Sequence, residues 1–229
     1  MNTDSILIPL LNSPKLPIYL AQIQSYLQQE AINRQEFYNL ITENDKAEFI
    51  HGQVILHSPV RIEHYVSTEL LMRLLSIYVD KHQLGMVGME KLMVHLTRNS
   101  YEPDVCFWDY EKSNQFIEGQ MLFPAPDFAV EVLSKSTEKT DRGVKMADYA
   151  AHGVSEYWLI HPTKRFIEKY VLREENYRLE RIYTIEDTIK SLAVKGFHVS
   201  VIAIFDRIEN MKELQRILKG EEITESEGW

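Results

Sequence analysis

Two acidic residues sit where acids are costly. Glu131 lies in Pro126-Asp127-Phe128-Ala129-Val130-Glu131-Val132-Leu133-Ser134, an almost unbroken apolar run. A half-exposed strand would alternate, so this run reads as a strand covered on both faces, as at the centre of an α/β sheet. A bare charge there costs several kcal/mol, so Glu131 must be paired, protonated or bound to a metal. Asp104 has a similar setting in Tyr101-Glu102-Pro103-Asp104-Val105-Cys106-Phe107-Trp108, 27 positions upstream, a spacing that suits neighbouring strands joined by a loop. Carboxylates on adjacent rigid strands are what metal-assisted phosphodiester hydrolysis needs: they hold Mg²⁺ or Mn²⁺ where it polarises the phosphate and acidifies the attacking water. A lysine nearby orients that water and offsets the charge of the transition state. In many such enzymes it follows the second acid by two residues, on the same strand face; here that position is Leu133.

The surrounding pattern supplies elements to position these groups. Pro9, Pro14 and Pro17 predict an irregular arm over residues 1–16. Ile18, Leu20, Ile23, Tyr26 and Leu27 predict a helix to about Ala31, and Asn33 with Glu36 a capping box for a second helix through Leu40. Lys46–Ile50 and Gln53–His57 around His51-Gly52 predict a β-hairpin. Ser58-Pro59 predicts the start of a long helix to about Asp80, with Ile62, Val66, Leu70, Leu74 and Ile77 on its apolar face. Short strands follow at Met86–Met89 and Lys91–Leu96, then Tyr101–Trp108, a polar loop over 109–120, and the Glu131 strand. A helix over about 138–152, stopped by Gly153, connects to a strand at 155–161 as a crossover. Arg165–Leu172 and Tyr177–Tyr183 predict a hairpin, and Val199–Phe205 a last strand or packing segment. The sum is one α/β domain.

Composition restricts the function classes. A hydrophobic share of 45% and a charged share of 26% are those of an ordinary globular protein. No apolar run approaches the ~18 residues of a membrane span, and no signal peptide is evident, so no membrane partner is expected. The single cysteine, Cys106, agrees with a reducing cytoplasm and reads as a small core residue. The net charge of −9 opposes simple attraction to nucleic acid. The last nine residues carry four Glu and no Lys or Arg, and the body without them is still acidic. Any nucleic-acid role therefore needs a local basic patch, such as Lys135, Lys139, Arg142 and Lys145, or metal ions.

The ordered set Glu48-Phe49-Ile50-His51-Gly52, Ser58-Pro59, His64, Pro103-Asp104, Glu131-Val132-Leu133-Ser134, Asp141-Arg142-Gly143-Val144-Lys145, Tyr149 and Gly153-Val154-Ser155-Glu156-Tyr157-Trp158 resembles the Uma-two family. That family is assigned to the PD-(D/E)XK, restriction-endonuclease-like nucleases, and the resemblance covers roughly residues 35–205. It implies a core of helix, three strands, helix and strand, here with accessory N-terminal helices and a C-terminal β-hairpin. It also implies Asp104, Glu131 and the carbonyl of Val132 as ligands of Mg²⁺ or Mn²⁺, and DNA as the partner. Lys145, from the Asp141-x-x-x-Lys145 pattern, is the implied replacement for the missing lysine; Lys135 is the alternative. His64, Glu48 and Glu90 are secondary candidates, each with a plain reading as a surface, capping or hairpin residue. Tyr149 and Trp158 read most simply as core aromatics. The expected organisation is an arm and accessory helix over 1–34, the nuclease-like domain over 35–205, and a C-terminal helix and acidic tail over 206–229. The expected activity is metal-dependent endonucleolytic cleavage of DNA. The alternative is a catalytically degenerate nuclease fold acting as a binding or assembly module. The apolar N-terminal helices leave room for a homodimer.

Overall fold

The computed structural model describes residues 3–42 and 45–221. Its main sheet has six strands in the order β11-β10-β9-β8-β6-β3: Asn176–Thr184, Phe166–Arg173, Glu156–His161, Phe128–Val132, Val105–Asp109 and Gly85–Met89. Strand β8 is central and fully buried, with β6 antiparallel on one side and β9 parallel on the other. Phe128, Val130 and Val132 point to one face, where helix α3 (Ile62–His82) and a 3₁₀ turn, Val201–Ile204, close the larger core. Ala129, Glu131 and Leu133 point to the other face, against Tyr149, Tyr157 and Leu159. Period-2 alternation thus places Glu131 and Leu133 on one side of the sheet.

That side is completed by a second sheet, order β2-β1-β5-β4-β7: Gln53–Leu56, Ala47–Ile50, Ser100–Tyr101, Met93–His95 and Leu122–Phe123. The hairpin β1–β2 turns at His51-Gly52, both at positive φ (48° and 80°), which a glycine at the second position accommodates without Cβ strain. The expected strand over 101–108 is two strands. Pro103 has no N–H to give a ladder, and there the chain leaves the second sheet at β5 and enters the main sheet at β6. Asp104 lies at this switch.

The crossover from β8 to β9 is helical over residues 138–151, in three parts: α5 (Glu138–Thr140), a π-turn (Asp141–Lys145) and α6 (Met146–Ala151). The expected helix is there, with one wide turn in it. The hairpin β10–β11 matches its expected position, and residues 199–205 divide between strand β13 (His198–Ser200, paired with β12, Thr188–Lys190) and the 3₁₀ turn. Helix α7 (Arg207–Lys219) packs beside α3. A short helix, α4 (Tyr110–Ser113), lies in the expected loop over 109–120.

Two boundary expectations are corrected. Residues 3–40 are not an irregular arm and two helices but helix α1 (Thr3–Leu11) and one continuous helix α2 (Leu16–Leu40). Pro17 falls in the first turn of α2, where a missing N–H costs nothing, and Asn33 sits inside the helix instead of capping it. Helix α3 starts at Ile62 after an extended Arg61, because residues 57–60 continue outward from β2 and Pro59 begins no helix. The acidic tail expected beyond Gly220 falls at 222–229, outside the described residues.

Candidate active site

A cleft of ≈ 570 Å³ opens between the two sheets, lined among others by Lys46, Arg61, His64, Glu102, Asp104, Glu131, Leu133, Lys135, Asp141 and Lys145. Its floor is β8. Asp141, Lys145 and Tyr149 recur every fourth residue along the helical crossover, and the π-turn brings all three inward as buried groups. The Lys145 ammonium sits 2.8 Å from Glu48 Oε1, 3.0 Å from Glu131 Oε1 and 3.5 Å from Asp141 Oδ1. Burial alone would pull the Lys145 pKa down, but Glu131, Glu48 and Asp141 hold it well above the usual lysine value. The Tyr149 hydroxyl donates to the same Glu131 oxygen at 3.1 Å.

Asp104 is oriented from two directions. Its Oδ2 accepts the Val132 N–H at 2.8 Å and lies 3.1 Å from His64 Nε2, while its Oδ1 is 3.6 Å from Lys46 Nζ. Burial works to raise its pKa, but the hydrogen bond and charge of His64, Lys46 and the Val132 N–H together hold it below the ordinary aspartate value. Glu131 goes the other way: burial, reinforced by Asp141, Asp104 and Glu48 and opposed by Lys145, pushes it well above the carboxylate range. Asp141 is raised for the same reasons, burial first. Glu102 is pushed up to about 7 by burial and by Glu48.

Of the candidates, Asp104, Glu131, Lys145, Glu48 and His64 converge. Of the two lysines, Lys145 is the one in contact with the acids. Lys135 is exposed on the loop after β8 at the mouth of the cleft, with no ion pair to the acids among the described residues. Glu90 lies beyond the lining, in the turn after β3, 3.9 Å from Lys46 Nζ. Val132 offers its N–H to Asp104, and its side chain is in the core. Sequence reasoning did not single out Lys46, His57 or Glu102, and it placed Tyr149 in the core without its hydroxyl contact. His57 Nε2 is 3.1 Å from Glu48 Oε2, and the Glu102 N–H donates to Glu48 Oε1 at 3.0 Å. Some signal was present: Lys46 and Glu48 are two apart on one hairpin strand, so they share a face, and His57 stands opposite Lys46.

Five carboxylates (Glu48, Glu102, Asp104, Glu131 and Asp141) therefore share Lys145 and, at the rim, Lys46. Three of them have raised pKa values, first because burial disfavours their charged form and then because the other carboxylates are close. Among the described residues no three His, Cys, Asp or Glu side chains form a cluster able to hold a metal on their own. What the cleft offers is carboxylate oxygens, the donor type that Mg²⁺ takes, one or two at a time, together with water.

A central strand bearing Glu131, an antiparallel neighbour entered through Pro103-Asp104, and helices on both faces define the restriction-endonuclease-like nuclease fold. The crystal structure titled "a putative nuclease belonging to DUF820" from Anabaena variabilis superposes with a TM-score of 0.64 at 18% identity, over 75% of this chain and 96% of that one. The chain belongs to the Uma2 family, described as "Putative restriction endonuclease", whose profile matches residues 34–202. It is also 29% identical over 198 residues to the uncharacterised protein slr1290 of Synechocystis, spanning 83% of this chain and 95% of that protein. In the described residues no helix is long and apolar enough to cross a membrane.

Proposed function

We propose that the protein is a metal-dependent endonuclease that hydrolyses DNA phosphodiester bonds. The observation carrying this reading is the Lys145 ammonium 3.0 Å from Glu131, on the floor of the cleft that Asp104 also lines: an Asp–Glu–Lys set whose lysine comes from the crossover helix. Asp104 and Glu131, with the Val132 carbonyl, would hold Mg²⁺ or Mn²⁺. The bound ion supplies polarisation of the scissile phosphate and a water acidic enough to attack. The chain's own residues do the rest. Tyr149 and Lys145 fix Glu131; His64 and the Val132 N–H fix Asp104. Lys145, held protonated by its carboxylate neighbours, would offset the negative charge that builds in the transition state. Lys46, Arg61 and Lys135 line the cleft and supply the local positive charge that the chain as a whole lacks.

One observation favours a second reading, a nuclease fold that binds DNA or metal without cutting: the Lys145 ammonium is enclosed by three carboxylates while Leu133 occupies the strand position beside Glu131. Incubation of supercoiled plasmid with Mg²⁺ or Mn²⁺, alongside calorimetry of metal binding, separates the two. Nicking that is lost in Glu131→Ala supports the endonuclease. Metal binding with no cleavage of any DNA form supports the second reading and sinks the first.

A further inference from the structure

We infer that the N-terminal arm, helix α1 and the first half of α2, is a self-association surface that pairs with the arm of a second copy of this chain. Helix α2 docks on the body mainly through its C-terminal half, and the last contact toward its N-terminus is Arg98 over the Tyr26 ring at 5.9 Å. There Glu30 forms a two-pronged bond with Arg98 (2.9 and 2.8 Å), Arg34 donates to the carbonyls of Leu96 and Thr97, and Phe37 is buried against Phe49. Residues 30, 34, 37 and 41 mark the docked face, with the four-three spacing of a helix seam. Running the same spacing back gives 27, 23, 20 and 16, which are Leu27, Ile23, Leu20 and Leu16. The docked seam thus continues as an apolar stripe beyond the edge of the body. It is uncovered: Leu20 is 51% exposed, Ile23 46% and Leu27 43%. Helix α1 adds Ile6, Ile8 and Leu11, each more than half exposed.

Charge points to the occupant. From Ser5 to Gln29 the only ionisable side chains besides tyrosine belong to a single lysine, Lys15, whereas the chain carries a net charge of −9. Two copies meet like charge at most of their surface, but at the arm they meet only one lysine each, outside the apolar stripe. A phosphate backbone would find only one cation here, and an interfacial membrane helix needs a basic polar face that this arm lacks. The arm also lies outside the residues matched by the family profile, which begins at 34. The free part of α2 spans about 21 Å. With α1 it exposes ten large apolar side chains between Ile6 and Leu27, the material for an interface whose standard size is ~800 Å² per partner. An antiparallel two-fold pairing sets Ile23 near its own counterpart and Leu20 against the partner's Leu27.

Sedimentation of the full-length chain tests this. The wild type is expected at twice its 26.9 kDa mass at micromolar concentration. Ile23→Glu is expected to weaken self-association about 100-fold or more, because a charge at a two-fold axis meets itself. Ile208→Glu, at an exposed apolar position on α7, is expected to leave the dimer intact. Ile23→Cys provides a readout that does not depend on disrupting anything: under oxidation it should form a disulfide-linked pair, which Ile208→Cys should not. A monomeric wild type, an Ile23→Glu dimer of unchanged affinity, or a monomer that co-sediments with lipid vesicles through the arm would each overturn the inference.

Discussion

Replacing Lys145 by methionine removes the innermost positive charge of the site and little of its volume, and the structure sets the size of the response. Glu48 suffers most: burial pushes its pKa up, and Lys145 and then His57 pull it below the usual range. Without Lys145, one buried carboxylate must take up a proton. From an ordinary value of 4.5, that costs about 1.4 kcal/mol per pH unit, hence about 4 kcal/mol at pH 7.5 and under 1 at pH 5. The upper figure agrees with the ~3–5 kcal/mol of breaking a buried pair. Lys145 itself adds no slope in this window. Its pKa is raised, so its contribution is fully present below the usual 10.5 and is lost only as pH rises through the folded value. Urea denaturation at pH 7.5 and at pH 5 should show a large loss for Lys145→Met at the higher pH and a small one at the lower. Lys135→Met should stay within about 0.5 kcal/mol of wild type at both. A Lys145→Met loss below about 1 kcal/mol at pH 7.5, or one equal at the two pH values, would refute the charge balance described for the cleft.

Other outcomes follow from the same geometry. Glu102, held at about 7 against an ordinary 4.5, is a raised acid; the stability it contributes is fully present below 4.5 and is lost as pH rises through 7. Metal-free protein should therefore lose up to about 3 kcal/mol from this group between pH 4.5 and 8, and Glu102→Gln should flatten that part of the urea-midpoint profile. Mg²⁺ should raise the melting temperature of the wild type at pH 8, and Asp104→Asn or Glu131→Gln should abolish the rise, as read by scanning calorimetry. Leu133 shares a strand face with Glu131 and lines the cleft, so Leu133→Lys in the Lys145→Met background should recover part of the nicking activity in the plasmid assay. Glu168, held at about 2 chiefly by Arg142, contributes stability that is present above 4.5 and lost as pH falls toward 2; Glu168→Gln should blunt acid unfolding.

The acids were legible because their neighbours are apolar. Glu131 between Val130 and Val132, and Asp104 just ahead of the Val105 strand, cannot be buried among apolar neighbours without a partner, whatever the topology. The central strand, the hairpins and the crossover helix were legible by period for the same reason: burial on one face or on both leaves a pattern in the chain. The continuous helix α2 was not, because Pro17 breaks a helix in its interior and is harmless in its first turn, and nothing local to Pro17 says which applies. Nor could the sequence say that Glu48, from a hairpin in the second sheet, meets Lys145 at 2.8 Å, or that Pro103 is where the chain changes sheets. The sequence by itself determined which residue types stand in costly places. Tertiary structure alone decided which of them share a charge, because Coulomb energy depends on distance in space, and residues 48, 104, 131 and 145 come together only when both sheets close on the crossover helix.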